Sequence, residues 1–322
     1  MPPALLPLDT EITALARARL QQHAHDARGA FSANTTRALK ADVAVFLAWC
    51  RAAELVPLPA LPDTVARFID AMADQKAPAT VRRYVSSIAS LHRAAGLANP
   101  AGTATVNLAL KRLHRAKGRA QRQAGPLNRP LVERMLDAIS NTLVGLRNRA
   151  LLAVAYDTLV RRSELVALQV EDIQAGDDGD ASILVRRSKI DQEGLGEIRY
   201  LAPDTMRTLR AWLVAADLTS GSIFRAVAKG GRVAERLSTA AVSEVFKTMA
   251  TTAGATVDEA ARISGHSSRV GAAQDMARHG LELPAIMQAG GWKTAAMVAR
   301  YTARLDVRRS GAAKLAVLQD RN

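Results

Sequence analysis

The stretch Ser264–Gly271 reads SGHSSRVG, and Gly290–Tyr301 reads GGWKTAAMVARY. Together they hold a histidine, an arginine, a tryptophan and a tyrosine, side chains that can donate hydrogen bonds to a phosphate oxygen. His266 and Arg269 are three residues apart, so on a helix they share one face. The Tyr301 hydroxyl is a nucleophile only when its surroundings activate it. No metal-ligand spacing accompanies these residues, which predicts phosphate chemistry by protein groups alone, with no metal and no cofactor.

The composition of the whole chain favours a polyanionic partner. Its 322 residues carry 44 Lys and Arg against 30 Asp and Glu, a net charge of +14. Such a charge favours nucleic acid, although a basic proteome or a membrane surface gives the same balance. The single cysteine, Cys50, excludes an intramolecular disulfide and a cysteine metal cluster. Because neither a signal peptide nor an apolar run of about 18 residues occurs, we expect no membrane association and a cytoplasmic protein, nucleoid-associated when bound to DNA.

Hydrophobic periodicity predicts a mainly α-helical protein of two domains. Residues 1–29 read as a loosely attached N-terminal arm with one helix, and residues 30–114 read as a helical bundle without strands. Residues 115–125, RAKGRAQRQAG, lack an apolar stripe and read as a basic linker that lies along a DNA backbone. Residues 126–322 predict a second, mostly helical domain with a small antiparallel β-sheet.

Capping residues and apolar spacing locate the main helices. In the first domain the predicted helix starts are Asn34 or Thr35, Asp63, Pro78 and Thr103. Apolar side chains at helical spacing predict the buried face of the first of these helices: Leu39, Val43, Phe46, Leu47 and Cys50. In the second domain Asn128 and Asp204 are predicted caps, and Leu146–Thr158 is predicted to be a central buried helix.

Alternating apolar and polar residues locate the strands of the second domain. Ala181–Arg187 and Ile198–Leu201 are predicted strands, and Ser222–Phe224 is a short third one. The polar loop SKIDQEGLGE joins the first two strands, with Lys189 at its mouth. The later predicted helices are Ser238–Ala253, Ser267–His279, Pro284–Gly290, Thr294–Tyr301 and Ser310–Asp320.

Charge is distributed unevenly along the first domain. From Gln75 through Val132 the chain has no acidic residue and eleven basic ones. A basic run is usually a solvated face, but one this long repels itself unless a polyanion neutralises it. We therefore favour contact with phosphates. The eleven residues are Lys76, Arg82, Arg83, Arg93, Lys111, Arg112, Arg115, Lys117, Arg119, Arg122 and Arg129.

Four segments of the second domain occur in an order that resembles a known family. They read YDTLVRRSELVAL (156–168), SK (188–189), SGHSSRVGAAQDMARHG (264–280) and IMQAGGWKTAAMVARY (286–301). Taken singly, each residue has an ordinary structural explanation, such as a pair between Arg161 and Glu164 on one helix. Their joint order and spacing resemble the tyrosine recombinases, the phage integrase family. The likeness runs from Phe31 to Asp320.

The resemblance implies the main catalytic roles. Arg161 and Arg269 would bind the non-bridging oxygens of the scissile phosphate, since a guanidinium donates two hydrogen bonds at once. Tyr301 would attack the phosphorus and form a 3′-phosphotyrosyl bond. Lys189 would protonate the departing 5′ oxygen. Arg162, which adjoins Arg161, is the alternative for the first arginine.

Three further residues complete the site that the resemblance implies. His266 would assist proton transfer at Tyr301 and bind the phosphate. Trp292 would donate a hydrogen bond to the phosphate, and Glu164 would orient the arginines. The implied reaction needs neither metal nor ATP, because arginines and hydrogen-bond donors stabilise the charge and the ester bond to tyrosine is reversible.

The resemblance also implies a DNA partner and an assembly. The partner would be double-stranded DNA with inverted-repeat half-sites, bound by residues 30–114 as the core DNA-binding domain and by residues 126–322 as the catalytic domain. A chain that is monomeric in free solution would form a homotetramer on two DNA sites and exchange strands through a Holliday junction. The segment SGAAKLAVLQD (310–320) would be the assembly helix, since an exposed apolar helix favours a partner.

The residues that meet DNA are predicted from charge and from the resemblance. Arg37 and Arg83 are the candidates for base reading, because arginine prefers guanine in bidentate contact. The predicted DNA-binding residues are Arg37, Arg82, Arg83, Lys111, Arg112, Arg115, Lys117, Arg119, Arg122, Ser238 and Ser243. The resemblance implies that the helix beginning at Ser238 reads base edges, and it has short side chains, Ala240 and Ser243, where the family has long polar ones. This difference predicts a target sequence particular to this chain.

Two other functions stay open at the level of sequence. A type IB topoisomerase shares the same catalytic residue types, although it needs neither an assembly helix nor a helical N-terminal domain. An accessory DNA-binding protein with a decayed site would share the fold, although decay would remove at least one catalytic residue and none is missing here. Replacement of Tyr301 separates the catalytic functions from simple binding.

Overall fold

The chain folds as two compact units that divide between Arg122 and Gln123. The structure, a computed structural model, describes residues 10–119, 123–187, 196–302 and 311–321. In these residues fifteen α-helices and one small antiparallel sheet confirm the predicted mainly helical fold. Lys189 and Arg122 lie outside the described residues. Among the described residues, none of the helices has the length and apolar character to cross a membrane.

Five helices form the described part of the N-terminal unit. They are α1 (Thr10–Asp26), α2 (Ala33–Ala52), α3 (Pro62–Ala73), α4 (Pro78–Ala94) and α5 (Ala104–Lys117). Helix α5 continues into the segment 115–125 that was predicted to be a linker. It ends before Gly118, whose φ of 72° suits a residue without a side chain. The basic residues at its end therefore project from a helix.

Several predicted helix starts are confirmed. Pro78 is the first residue of α4, and Thr103 is the N-cap of α5. In the C-terminal unit the Asn128 side chain caps the helix Arg129–Asp137 by accepting from the Leu131 N–H. These residues act through local chemistry, a fixed φ for proline and a side-chain acceptor for asparagine, so the sequence alone reveals them.

Other helix starts differ from the prediction. Ser32, not Asn34 or Thr35, is the N-cap of α2, and its hydroxyl accepts from the Thr35 N–H at 3.2 Å. Asp63 and Asp204 were predicted caps but lie one residue inside their helices. Both helices begin at a proline, whose missing N–H removes one of the groups that a cap would satisfy.

Aromatic rings fill the core of the N-terminal unit. The Phe68 ring lies 5.1 Å from Phe46, 5.3 Å from Trp49 and 5.9 Å from Tyr84, measured between ring centroids. Edge and tilted contacts of this kind add to the gain from burial. Cys50 is fully buried in the same core.

The buried face of α2 runs through Asp42, Phe46 and Cys50. The other three residues of the predicted stripe are only half-buried: Leu39, Val43 and Leu47. A carboxylate can take an apolar position because Asp42 accepts hydrogen bonds from α4, from Arg83 at 2.8 Å and from Ser87 at 2.9 Å. Apolar spacing cannot reveal a partner on another helix, so the sequence pattern misplaced this face.

The buried His92 on α4 forms hydrogen bonds that join this helix to the chain before α3. The His92 Nδ1 donates to the Ile88 carbonyl at 2.8 Å, and its Nε2 accepts from the Ala60 N–H at 2.9 Å. These partners require the neutral ring, since Nε2 must keep its lone pair. Burial lowers the pKa of His92 below its ordinary 6.5, against an opposing effect of the Ile88 carbonyl.

Ten helices belong to the described part of the C-terminal unit. They are α6 (Arg129–Asp137), α7 (Leu143–Thr158), α8 (Arg162–Leu165), α9 (Pro203–Ala215), α10 (Thr239–Thr252), α11 (Val257–Arg262), α12 (Ser267–Arg278), α13 (Leu283–Gly290), α14 (Ala295–Thr302) and α15 (Gly311–Leu318). Helix α7 is the predicted central helix, and both Leu151 and Leu152 are fully buried in the core. Helix α11 was not predicted because it is only six residues long, although its capping box of Thr256 and Glu259 is a sequence signal for a helix start.

The sheet has the order β1-β2-β3 and is antiparallel throughout. Strands β2 (Ala181–Val185) and β3 (Glu197–Leu201) confirm two predicted strands, whereas β1 (Ile173–Ala175) was missed. The third predicted strand, Ser222–Phe224, is wrong: only Ser222 forms a bridge, with Gln169. This apolar run is instead a buried loop, in which the Ile223 carbonyl accepts a hydrogen bond from the Trp212 indole N–H at 2.8 Å. That carbonyl therefore needs no strand partner.

The first turns of α12 lie against the chain that enters α6. The Leu127 N–H donates to the Ser267 carbonyl at 3.0 Å, and Leu127 is fully buried. A side chain added at Gly271 would overlap the Leu127 carbonyl oxygen. Only glycine allows this approach, which fixes the helix that carries Arg269.

The close approach at Gly271 predicts that Gly271→Ala destabilises the C-terminal unit by about 1–3 kcal/mol, because a backbone oxygen cannot move aside as a side chain can. Urea unfolding followed by circular dichroism measures the change. The control is Gly311→Ala, where an added methyl group meets nothing within 4 Å. Equal stability of the two variants would contradict the interpretation.

The hydrogen bonds of His92 predict that acid destabilises the N-terminal unit. The unfolded chain gains a proton at the ordinary pKa of 6.5, and the folded unit gains it only at lower pH. The contribution of His92 is therefore complete above pH 6.5 and is lost as the pH falls below that value. In His92→Gln this part of the pH dependence should vanish. Urea unfolding at a series of pH values tests it, with His23→Gln, at an exposed histidine, as the control.

Candidate active site

The end of α7 sets the position of the first arginine. Leu159 ends the helix with a φ of 51°, a left-handed conformation that is costly for a residue other than glycine. Its side chain is fully buried, and its carbonyl accepts from the Arg269 guanidinium. The chain turns at this point, so Arg161 becomes the residue immediately before α8.

Arg161 is held by Glu164 through both its backbone and its side chain. The backbone N–H donates to Glu164 Oε2 at 2.8 Å, and Nη1 donates to Oε1 at 2.7 Å. The side chains are 16% and 7% exposed, so the pair is largely shielded from water. Arg162 is exposed, and its aliphatic part lies against Gly265. The two adjacent arginines therefore have different environments, and Arg161 is the restrained one.

Arg269 is buried at the start of α12, with 2% of its surface exposed. Besides its bond to the Leu159 carbonyl, it donates from Nη2 to the Gly290 carbonyl at 3.0 Å. Its Nε is buried without a partner among the described residues. Burial and the charge of Arg161 lower the pKa of Arg269 to about 10, against the opposing effects of Tyr301 and Glu164. The guanidinium is still charged at neutral pH.

Trp292 follows the glycine turn that ends α13. Its ring is 3% exposed and lies over the backbone of Gly290. The Arg269 guanidinium carbon lies 5.0 Å from the ring centroid, a cation–π contact. The indole N–H is buried and has no acceptor among the described residues. A buried donor without a partner is costly in a folded protein and marks a place where a ligand oxygen fits.

Tyr301 lies in the last turn of α14, beside Trp292. The two ring centroids are 5.3 Å apart, and Tyr301 is half-buried. Gln274 on α12 donates to the Tyr301 carbonyl at 3.0 Å. The Tyr301 hydroxyl also interacts with Arg269. Helix α14 is thus fixed against α12 on the side where the arginine lies.

His266 precedes α12 on the exposed side of the site. Partial desolvation and the charges of Arg269, Arg161 and Arg162 lower the pKa of His266 below 6.5, against an opposing effect of Glu164. At neutral pH the ring is therefore uncharged and can accept a proton. Gly265, which precedes His266, is fixed by α10, because its N–H donates to the Ser243 hydroxyl at 3.0 Å.

A second group of residues, which the sequence patterns did not single out, connects three helices behind the site. The Asp275 carboxylate accepts from the Tyr156 hydroxyl at 2.7 Å, from the Arg129 N–H at 2.7 Å and from Arg278 at 2.9 Å. This links α12 to the end of α7 and to the start of α6. Tyr156 and Asp275 both lie in the segments that resemble the family, so the resemblance was the sequence signal that could have identified them.

The predicted DNA-binding residues have varied surroundings. Four basic residues have polar partners: Arg37 donates to Asn34 at 2.7 Å, Arg83 to Asp42 and Arg112 to Asp70 at 2.8 Å, and Lys117 to the Ala73 carbonyl. Four other basic residues of the predicted set are exposed and have no hydrogen bond or ion pair among the described residues: Arg82, Lys111, Arg115 and Arg119. Ser238 caps α10 with its own hydroxyl, and Ser243 supports Gly265. Both serines thus have structural partners.

Comparison with solved structures shows the fold of tyrosine recombinases. The chain is similar to the integrase of transposon Tn1549 in complex with circular intermediate DNA, with a TM-score of 0.64 and 15% identity. The likeness covers 93% of this chain and 99% of that one. At such identity it shows the fold alone.

Sequence relatives show the family. The chain is 32% identical to the recombinase Cre of Escherichia phage P1 over 296 residues, 87% of this chain and 86% of Cre. It is 34% identical to an integrase/recombinase XerD homolog of Selenomonas ruminantium over 280 residues, 83% and 81% of the two chains. Residues 127–308 match the phage integrase family. The chain belongs to this family and is a tyrosine-type site-specific recombinase.

The unpaired indole N–H predicts a specific defect for Trp292→Phe. The variant keeps an aromatic ring beside Arg269 and Tyr301 but removes the indole N–H that has no acceptor among the described residues. We expect DNA affinity to persist and cleavage to slow about 10²–10³-fold. Single-turnover cleavage of a duplex that the protein selects from a random pool measures this. Trp212→Phe is the control, since it removes an indole N–H that is bonded to a carbonyl; it should lower stability and leave the cleavage step unchanged.

Proposed function

We propose that this protein cleaves and rejoins DNA at a specific site through a 3′-phosphotyrosyl bond to Tyr301. The supporting observation is the convergence of two restrained arginines and one unpaired indole donor on the side of α12 that faces Tyr301. Arg161 and Arg269 would neutralise the scissile phosphate, and Trp292 would donate to one of its oxygens.

The proposed reaction exchanges one phosphate ester for another. The Tyr301 oxygen attacks the phosphorus, and the bond from phosphorus to the 5′ oxygen breaks. The tyrosine proton passes to His266, whose uncharged ring suits this role. Lys189 would supply the proton that makes the departing oxygen a 5′ hydroxyl. Attack by a 5′ hydroxyl on the phosphotyrosine reverses the step, so no ATP and no metal is required.

Double-stranded DNA is the proposed partner. Solved relatives include the Tn1549 integrase with circular intermediate DNA. In this chain the helical segment 30–114 would be the core DNA-binding domain, residues 115–125 the basic link and residues 126–322 the catalytic domain, after an arm at 1–29. The net charge of +14 supports contact with a polyanion.

The proposed assembly is a homotetramer on two inverted-repeat sites, with a Holliday junction as the intermediate. Helix α15 supports it, because Leu315, Val317 and Leu318 are 50%, 73% and 82% exposed on one short segment. Apolar side chains exposed together favour a protein partner. The chain would be monomeric when free and would assemble on DNA.

The proposed nucleophile predicts the behaviour of Tyr301→Phe. The variant should select the same duplex from a random pool as the wild type, because the phenol hydroxyl carries no sequence information. Covalent capture on a nicked form of that duplex should be abolished. Denaturing electrophoresis separates trapped from free protein.

The same experiment separates the alternative functions. A wild-type protein that binds one duplex tightly and is never trapped would be an accessory DNA-binding protein. A protein that is trapped without sequence preference would act as a topoisomerase. A covalent adduct formed by Tyr301→Phe would show that another residue is the nucleophile.

The DNA-facing residues predict a target different from loxP, the site that the resemblance associates with Cre. Ser243 is half-buried and supports Gly265, so it offers little to a base edge, and arginines occupy the outward positions 82 and 83 of α4. We expect weak or absent cleavage of loxP suicide substrates. Cre serves as the control, and equal cleavage rates for the two proteins would contradict this expectation.

A further inference from the structure

One ion pair of the N-terminal unit differs from its neighbours. The pairs Arg112–Asp70 and Lys117–Asp74 lie at the surface, with carboxylates 52% and 94% exposed. Such pairs contribute little to stability. The carboxylate of Asp42 is 2% exposed, although it too pairs with an arginine. A buried carboxylate is strongly destabilising unless its oxygens receive hydrogen bonds, so the partners of Asp42 are structurally required.

Both partners of Asp42 lie on one face of α4. Arg83 Nη2 donates to Oδ1 at 2.8 Å, and Ser87, one turn later, donates to Oδ2 at 2.9 Å. Ser87 is itself 7% exposed. The Arg83 guanidinium carbon also lies 5.8 Å from the Tyr84 ring centroid. The guanidinium is therefore held on two sides by buried groups.

Arg83 nevertheless remains 55% exposed. A guanidinium has five N–H donors, and Asp42 accepts from one of its nitrogens. Enough donors remain for the two acceptors, O6 and N7, that guanine presents in the major groove. A long side chain that is already fixed loses less entropy on binding, and because its orientation is set it cannot shift to the acceptors of another base.

The neighbouring residue provides a contrast. Arg82 is exposed and has no hydrogen bond or ion pair among the described residues. A free arginine can follow a phosphate through many rotamers, which gives affinity without base preference. The two adjacent arginines of α4 thus have different surroundings: Arg83 is restrained by its contacts, and Arg82 is not.

We propose that Asp42 and Ser87 position Arg83 to read a guanine in the target DNA, and that Asp42 is a specificity-determining residue although it does not touch DNA. The proposal rests on the proposed DNA recombinase function. It assigns base reading to Arg83 and phosphate contact to Arg82.

The test compares full-length variants by selection from a random duplex pool followed by sequencing. The wild type should select a guanine at one position of each half-site, by about tenfold or more over other bases. Arg83→Gln should lose that preference, and Asp42→Asn should weaken it at the same position while other positions keep theirs. Arg82→Gln, the matched control, should bind all sequences more weakly with an unchanged profile and a smaller salt dependence.

Two further measurements keep the test independent of folding and of catalysis. Circular dichroism reports whether Asp42→Asn is folded. If it is not, Ser87→Ala and Arg83→Lys take its place in the test. Each should lose the preference for guanine at the same position. An unaltered profile in folded Asp42→Asn, or in both substitutes, overturns the proposal. Covalent capture by Tyr301 is scored separately, so a wild type that selects guanine through Arg83 but is never trapped would refute the proposed cleavage through Tyr301 and leave this inference standing.

Discussion

The structure of the C-terminal unit depends on the burial of one guanidinium. Arg269 donates to the backbone carbonyls of Leu159 and Gly290 and lies against the ring of Trp292. A buried charge requires such fixed partners, and here they come from the turn after α7 and the end of α13. A single side chain thus joins the segment that leads to Arg161 with the segment that leads to Trp292 and Tyr301. These hydrogen bonds offset the cost of its burial and hold the guanidinium in one orientation.

The two units place different demands on their functional residues. Arg269 and Trp292 are almost fully buried, so a change there disturbs packing as well as chemistry. Arg82 on α4 is exposed and without a partner in the described structure, and replacing it leaves the core intact. The residues proposed for cleavage therefore lie where the structure tolerates little change, and much of the surface proposed to meet DNA lies where it tolerates more. Arg83 is the exception, because a buried carboxylate couples it to the core.

Local signals made much of this molecule predictable. Pro78 and Asn128 mark helix starts through their own backbone and side-chain chemistry, and the spacing of His266 and Arg269 places both at the start of one helix. Contacts distant in sequence were not predictable. Asp42 is buried because it meets a side chain 41 residues away, and no pattern within α2 records that partner. The same limit hid Asp275, whose tyrosine partner is 119 residues away, and the short strand β1, which is defined only by pairing with β2.

The fully buried Cys50 has a practical consequence for studying this protein in motion. Burial raises the pKa of its thiol to about 12, so the reactive thiolate is scarce at neutral pH and the sulfur is out of reach of reagents. The chain has no other cysteine. A cysteine introduced on an exposed turn would therefore be the one thiol that a maleimide dye modifies. Single molecules could be labelled and followed along DNA while the native core stays intact.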